Sequence, residues 1–395
     1  MLVLTAVFIL PLLGVWLAGE SVEPYLEIPP RPSAIKPESF SWPIFLGLAS
    51  FIVGTLALFV DRIVSLSPRR SLLVPRIWRT TFHTSQITVL PKYASRFTLH
   101  ERRAFPWWGW LGVVWTAVAW ILAWNRFEWL GVLQLHTFTA LWLGYIVIIN
   151  GVTYTRTGHC MLLHRPRYFL SLFPLSAGFW WSFEYLNRFV HNWYYVGAGN
   201  FTAGEYILLA TLPFSTVLPA VLGTAEWLTS YPGVVAGLKH AWIIRSDLTK
   251  PVGWLVVIAA TAGLLGIGLW PTYLYPLVWM APLLLITGLE WAGGRPTIFT
   301  NVTTGDWHVP GVVAWSALIC GVLWEMWNSQ SLAHWQYAVP FVHRFQIFEM
   351  PLLGYAGYLP FGLECLAVAD LFLNRKFSGG VDYYATETSE SSGEH

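Results

Sequence analysis

The stretch "LWEMWNSQSLAHWQYAVP" (residues 323–340) ends an apolar run with a glutamate and an asparagine one helical turn apart, followed by W-x-Y. The stretch "WSFEYLNRFVHNWYYVG" (residues 181–197) has the same order of residues. Motif 1 consists of Glu184, Asn187, Trp193 and Tyr195, and motif 2 of Glu325, Asn328, Trp335 and Tyr337. Matching residues lie 141 or 142 positions apart. This near-constant offset over chemically unusual positions indicates an internal duplication.

The composition around these motifs is that of a membrane protein. Hydrophobic residues make up 55% of the 395 residues and charged residues 11%, whereas soluble domains are about 25% charged. Runs of about 20 apolar residues recur, each long enough to cross a bilayer as a helix. We therefore predict an all-α, polytopic transmembrane helical bundle of about ten spans. The spans are expected near residues 2–18, 42–60, 108–125, 135–153, 168–187, 204–225, 252–270, 272–290, 309–327 and 350–372. A net charge of only +2 gives no reason to expect a nucleic-acid partner.

The basic residues test this arrangement of spans. They are concentrated in residues 61–107, in the loops after the fourth and sixth spans, and at the start of the C-terminal tail. All four segments fall on one side of the membrane if the spans are as predicted. The positive-inside rule then places both termini in the cytoplasm, and we expect an integral protein of a bacterial inner membrane.

The duplication divides the chain into five parts. Residues 108–230 and 252–373 form two four-helix units, which have the same orientation because each contains an even number of spans. The units are thus parallel repeats related by an axis along the membrane normal. Residues 1–60 are predicted to be two N-terminal helices with an external Pro-rich loop, residues 61–107 a basic segment on the cytoplasmic membrane surface, and residues 374–395 a disordered tail.

The E-x-x-N pair of each motif is open to two interpretations. Glutamate and asparagine at i and i+3 project from one face of a helix, and acidic side chains at membrane depth usually face a protein interior, a partner or a cavity. Alternatively, each asparagine caps its helix while the glutamate bonds the following loop. In motif 1, Arg188 also stands one turn after Glu184 and could form a local ion pair with it. The Trp and Tyr residues of W-x-Y would either line a pocket or anchor the chain at the membrane interface.

Glu364 is the most unusual carboxyl group in the sequence. It lies among apolar residues, fifteen positions after Glu349, or about 22 Å along a helix. A carboxyl group in such surroundings could act as a general acid, a proton-relay residue or a buried hydrogen-bond donor. The predicted catalytic residues are Glu364, Glu325 and Glu349, and the predicted ligand-binding residues are Asn328, Trp335, Tyr337, Glu184, Asn187, Trp193 and Tyr195. No cofactor and no metal are predicted, although His334 and His343 could form a metal or proton site with Glu349.

Motif 2 and the helix after it resemble the membrane-embedded lycopene cyclases of the heterodimeric or fused type and the related carotenoid hydratases. The resemblance covers residues 108–228 and 252–373. It implies that Glu325 is the acidic residue ending a helix, that Trp335 and Tyr337 match the family's W-x-Y/F, and that Glu364 matches one carboxylate of its P-x-E-E. This chain has "LPFGLE" at that point, so the paired glutamates of the family are missing.

These observations lead to three functional hypotheses. The first is a Trp-lined pocket for a long apolar isoprenoid or carotenoid, with acid-type cyclisation, hydration or isomerisation as the possible chemistry. Cation–π contact with indoles would stabilise a carbocation in such a pocket. The second is a non-catalytic accessory subunit that packs against lipids or other proteins in a respiratory or photosynthetic membrane assembly. The third is a proton-linked transporter. Whether the protein is an enzyme is left open by the sequence.

Overall fold

A computed structural model describes residues 2–28, 40–65, 103–197, 201–239, 241–244 and 250–373, without the side chains of 58–65, 132 and 133. Most of the predicted basic surface segment and the whole predicted tail lie outside these residues.

The described chain is mainly helical. The longer helices are α1 (Leu2–Leu17), α2 (Trp42–Ser65), α3 (Trp107–Trp124), α4 (Thr137–Thr157), α5 (Pro166–Val190), α6 (Ala203–Phe214), α7 (Val217–Thr229), α8 (Pro232–Lys239), α9 (Lys250–Leu269), α10 (Ala281–Ala292), α11 (His308–Asn328) and α12 (Tyr358–Leu373). Single turns of α-helix lie at Gly131–Gln134, Met161–His164 and Pro271–Leu274, and 3₁₀ turns at Glu23–Tyr25, Glu128–Leu130, Tyr275–Trp279, Thr300–Thr304 and Leu352–Gly357. The strands are β1 (Trp193–Val196), β2 (His334–Tyr337), β3 (Gln346–Ile347) and β4 (Met350–Pro351).

Six helical segments of the described chain are long and apolar enough to cross a membrane. They are Trp107–Trp124, Thr137–Thr157, Ala203–Thr229, Lys250–Leu269, His308–Asn328 and Leu352–Leu373. A seventh results if Pro271–Trp279 and Ala281–Ala292, which meet at 57°, are counted together. The chain thus has the helical architecture and the apolar segments of a membrane bundle.

The predicted continuous span at residues 272–290 is broken in the structure. A short turn and a 3₁₀ turn precede α10, which begins only at Ala281. Pro276 and Pro282 lie on either side of the break. Proline cannot donate a backbone hydrogen bond, so these positions favour helix starts over one uninterrupted helix.

The loops meet in two groups at opposite ends of the bundle. At one end, Arg156 donates to the Ser230 hydroxyl (2.8 Å) and Arg165 forms an ion pair with Glu226 (2.8 Å). At the other end, Arg126 donates to the carbonyl oxygen of Gln330 (2.9 Å). The first two contacts join the end of α7 to the end of α4 and to the start of α5.

Motifs 1 and 2 meet at the second end through their W-x-Y strands. Strand β1 pairs antiparallel with β2, and the register places Trp193 opposite Tyr337 and Tyr195 opposite Trp335. The tryptophan of each motif therefore faces the tyrosine of the other, and the two strands form a self-complementary pair. The turn into β1 begins at His191, which ends α5 in the left-handed region (φ 51°).

The core lies where α5, α7, α11 and α12 pack together. Large side chains such as Phe183 and Phe361 are fully buried there. The α11–α12 crossing is close because Gly362 has no side chain: a Cβ atom at that position would lie 2.2 Å from the carbonyl oxygen of Val313. This packing places the ends of α5 and α11, and so the two motifs, next to α12.

Candidate functional site: two glutamate centres behind an apolar groove

Glu184 of motif 1 is held by aromatic hydrogen-bond donors. Its Oε1 atom accepts from the indole Nε1 of Trp180 and of Trp193, both at 3.1 Å, and from the hydroxyl of Tyr195. The glutamate is 6% exposed. Three donors on one oxygen allow a carboxyl group to be buried in an otherwise apolar region.

Asn187 of motif 1 clamps the chain that leads into β1. Its Oδ1 atom accepts from the backbone nitrogens of Asn192 (2.8 Å) and Trp193 (3.3 Å). Its Nδ2 atom donates to the carbonyl oxygen of Trp193 (2.8 Å). One side chain thus satisfies three backbone groups at the point where the helix has ended.

Motif 2 has a similar arrangement with different partners for its glutamate. Asn328 accepts from the backbone nitrogen of Trp335 and donates to its carbonyl oxygen, both at 2.8 Å. Glu325 accepts through Oε1 from the hydroxyls of Tyr337 (2.7 Å) and Tyr358 (2.6 Å). The indole of Trp335 donates to the Tyr337 hydroxyl (2.7 Å) and not to the glutamate. Burial of the hydroxyl, and secondarily the neighbouring carboxyl group, raises the pKa of Tyr337 well above its usual value.

One alternative from the sequence was that each asparagine caps its helix while the glutamate bonds the following loop. In the structure the asparagine side chains themselves bond the backbone of the segment after the helix, and the glutamates bond aromatic side chains. The possible ion pair between Glu184 and Arg188 is replaced by other contacts. Arg188 donates to the carbonyl oxygens of Tyr25 and Glu27, both at 2.8 Å, and so ties the segment after α1 to α5.

A groove with a volume of about 740 Å³ runs beside the two motifs. Its walls come from α2, α6, α11, α12, the Tyr275–Trp279 turn and the paired strands. Along α11 the wall extends from Pro310 to Trp324, which is about 21 Å of helix. Indoles are frequent in the wall: Trp180, Trp193, Trp279, Trp307, Trp315, Trp324 and Trp335. The groove is elongated and its wall is mostly apolar. Polar side chains at or next to the strands include Asn192, Tyr195, His334 and Tyr337.

The glutamates of the motifs lie directly behind this wall. Tyr195, Tyr337 and Tyr358 line the groove, and their hydroxyls are the groups that bond to the two glutamates. Tyr195 is 41% exposed and lines the groove, while its hydroxyl donates to Glu184. A ligand in the groove would touch tyrosines, each connected to a carboxyl group.

Glu364 is located differently. Helix α12 presents Leu359, Pro360 and Leu363 to the groove, and Glu364 is not in its wall. Glu364 is 1% exposed, and its Oε2 atom has no hydrogen-bond partner among the described residues. The structure therefore does not bring Glu364 together with the predicted aromatic residues of motif 2.

Glu349 also lies away from the groove wall. It belongs to the turn between β3 and β4 and lines a separate surface depression with Trp124, Ser329 and Gln330. The last apolar segment, Leu352–Leu373, begins three residues after Glu349, and strand β4 and a 3₁₀ turn lie between Glu349 and α12.

The alternative metal site is not formed in the described part of the chain. No group of three His, Cys, Asp or Glu residues is placed there to hold a metal ion, and this includes His334, His343 and Glu349. Nε2 of His343 lies 3.2 Å from the side-chain nitrogen of Gln346, and burial lowers its pKa.

Two partners of the glutamates were missed by the sequence analysis. Trp180 lies four residues before Glu184, one helical turn away, and this spacing could have indicated the contact. Tyr358 lies 33 residues after Glu325 on another helix, and no local signal in the sequence predicts that pair.

Compared with known proteins, the chain matches no family model, no curated protein and no solved structure.

Proposed function

We propose that this protein is a polytopic membrane protein whose groove binds an elongated apolar ligand, of which an isoprenoid or carotenoid is the favoured class. The groove carries the proposal. Its volume of about 740 Å³ falls within the range of about 300–1,000 Å³ that is typical of small-molecule sites. It is also long, mostly apolar and lined by indoles, as a polyene or polyprenyl chain requires.

The architecture we propose around it is a duplication. Two parallel four-helix units, residues 108–230 and 252–373, each contribute one motif to the paired strands. The matching asparagine clamps and the self-complementary strand register support this. Together with the two N-terminal helices, these units would give the protein about ten membrane spans. Both termini lie in the cytoplasm, and the membrane is a bacterial inner membrane, as the distribution of basic residues favours.

The test of ligand binding uses the purified full-length protein in detergent or nanodiscs. Apolar molecules are extracted and identified by mass spectrometry, and the amount bound is compared between two variants. Ala314→Trp places an indole in the groove wall, whereas Ala117→Trp makes the same change on an exposed face of α3, away from the groove. We expect a near-stoichiometric isoprenoid-like molecule in the native protein and in Ala117→Trp, and at least tenfold less in Ala314→Trp.

Two results would contradict the proposal. One is the absence of any enriched elongated molecule in the native protein, which would favour the accessory-subunit hypothesis. The other is equal retention by both tryptophan variants, which would place the bound molecule outside the groove.

A second candidate function is acid-type chemistry on the bound ligand, such as cyclisation, hydration or isomerisation. The observation that favours it is the hydroxyl–carboxyl pairing of Tyr337 and Tyr358 with Glu325. A tyrosine hydroxyl in the groove wall can give a proton to an alkene and recover one from the carboxyl group behind it. The geometry favours Glu325 over Glu349 and Glu364 for this role, because the hydroxyl partners of Glu325 line the groove.

A further inference from the structure

Several polar groups in the groove wall are bonded within the protein. The hydroxyls of Tyr337 and Tyr358 are bonded to Glu325. The hydroxyl of Thr55, on the α2 side of the groove, donates to the carbonyl oxygen of Phe51 (2.8 Å). These groups need nothing from a ligand.

Asn192 differs from them. It immediately precedes β1, lines the groove and is 3% exposed. Its backbone nitrogen donates to Asn187 and its carbonyl oxygen accepts from the nitrogen of Ala338, both at 2.8 Å. Its side-chain Oδ1 atom, by contrast, has no hydrogen-bond partner among the described residues. Buried amide oxygens are nearly always paired, so this atom marks a place for a donor.

The charge of the wall limits what that donor can be. The described residues that line the groove include no lysine, arginine, aspartate or glutamate. The histidine among them, His334, has a buried Nδ1 atom without a hydrogen-bond partner among the described residues. A phosphate or carboxylate head group would be buried there without a lysine or arginine to pair with it, which is unfavourable. An ammonium head group would likewise lack a carboxylate in the wall. The chemistry of the groove therefore favours an uncharged head.

We propose that the ligand of the groove is a lipid alcohol whose hydroxyl group donates to Oδ1 of Asn192. This inference rests on the proposed function, since it assumes that an elongated apolar ligand occupies the groove. The hydroxyl group would lie at the strand end, because Ala338, which bonds the Asn192 backbone, directly follows Tyr337. The hydrocarbon chain would then run along α11 towards Pro310, over the apolar part of the wall. Long-chain isoprenoid alcohols and hydroxylated polyenes have this chemistry.

The experiment compares three probes with the same chain and different heads: geranylgeraniol, its methyl ether and geranylgeranyl phosphate. The full-length protein is reconstituted in nanodiscs, and tritiated geranylgeraniol is displaced by each probe, with empty nanodiscs correcting for partition into lipid. In the native protein we expect the alcohol to compete about fivefold to tenfold better than the ether, which corresponds to one hydrogen bond. The phosphate should be the weakest competitor.

Two variants locate the hydrogen bond. In Asn192→Leu the preference for the alcohol over the ether should disappear, while the affinity for the ether stays within about twofold. The matched control is Thr55→Val, which also removes a polar group from the wall, but one already bonded within its helix, and here the preference should remain. The comparison of probes on the native protein needs no variant, so it decides the matter even if Asn192→Leu does not fold.

The outcomes separate the two proposals. If alcohol and ether compete equally with the native protein, or if the phosphate competes best, the head-group assignment is overturned while binding in the groove stands. If tritiated geranylgeraniol shows no specific binding and no probe displaces it, the failure is that of the proposed function itself.

Discussion

Motifs 1 and 2 share an asparagine clamp but give their glutamates different partners, three donors for Glu184 and two for Glu325. In motif 1 the third donor is the indole of Trp180, from the same helix as Glu184. The equivalent position in motif 2 is Gly321, and a Cβ atom there would lie 2.4 Å from the ring of Tyr358. The missing side chain lets Tyr358 of α12 reach Glu325.

The difference shows how one local pattern can serve two purposes. In motif 1 the carboxyl group is bonded within α5 and its own strand, so the centre is locally closed. In motif 2 the carboxyl group joins α11 to α12 across the core, and both of its tyrosine partners line the groove. The motif 1 donors Trp180, Trp193 and Tyr195 line the groove as well. The difference is therefore that the carboxyl group of motif 2 joins two helices across the core, whereas that of motif 1 is bonded locally.

The largest effect is expected from breaking what the two motifs share. Asn187→Leu removes hydrogen bonds to three backbone groups, and Asn328→Leu removes bonds to two. Leaving such buried groups unpaired should cost about 3 kcal/mol or more, with the larger loss in motif 1. The free energy of unfolding, measured by denaturant titration in mixed micelles, tests this.

A matched control is Asn125→Leu, whose amide bonds only one exposed helix carbonyl, that of Ile121. It should change stability by less than about 1 kcal/mol. Equal losses at all three asparagines would show that the clamps contribute nothing special.

Part of this comparison is visible in the sequence and part is not. The pairing of the two W-x-Y segments was not predicted from the sequence. The duplicated motifs follow from residue order, and loop binding follows as one of two interpretations of E-x-x-N. The contact of Tyr358 with Glu325 does not, because it depends on a glycine that allows two helices to approach. The groove is also unpredictable from local patterns, since its wall combines side chains from α2, α6, α11 and α12.

Gly321→Ala tests the feature that separates the motifs and should have the next largest effect. The added methyl group would overlap the Tyr358 ring, and overpacking of this kind costs about 1–3 kcal/mol. Gly178→Ala is the control, because a Cβ atom at that position in α5 meets nothing within 4 Å. Alanine there should be neutral or stabilise by up to about 1 kcal/mol, as helix propensity predicts. Similar melting temperatures for the two variants would refute the role assigned to Gly321.

The smallest effect is expected from removing one hydroxyl group from motif 2. Tyr358→Phe keeps the ring in place but takes one of the two donors from Glu325, which should cost about 1 kcal/mol in unfolding free energy. Tyr273→Phe, at a side chain that is 70% exposed, should cost close to nothing. The two centres can then be compared through Trp180→Phe, which takes a donor from Glu184. Tyr358→Phe should also change the affinity for a groove ligand, because the altered side chain lies in the wall. Trp180→Phe replaces an indole of the wall by a smaller phenyl ring, so it is compared with Tyr358→Phe by unfolding free energy and not by ligand affinity. Equal losses of unfolding free energy in Tyr358→Phe and Tyr273→Phe would contradict the role assigned to the Tyr358 hydroxyl.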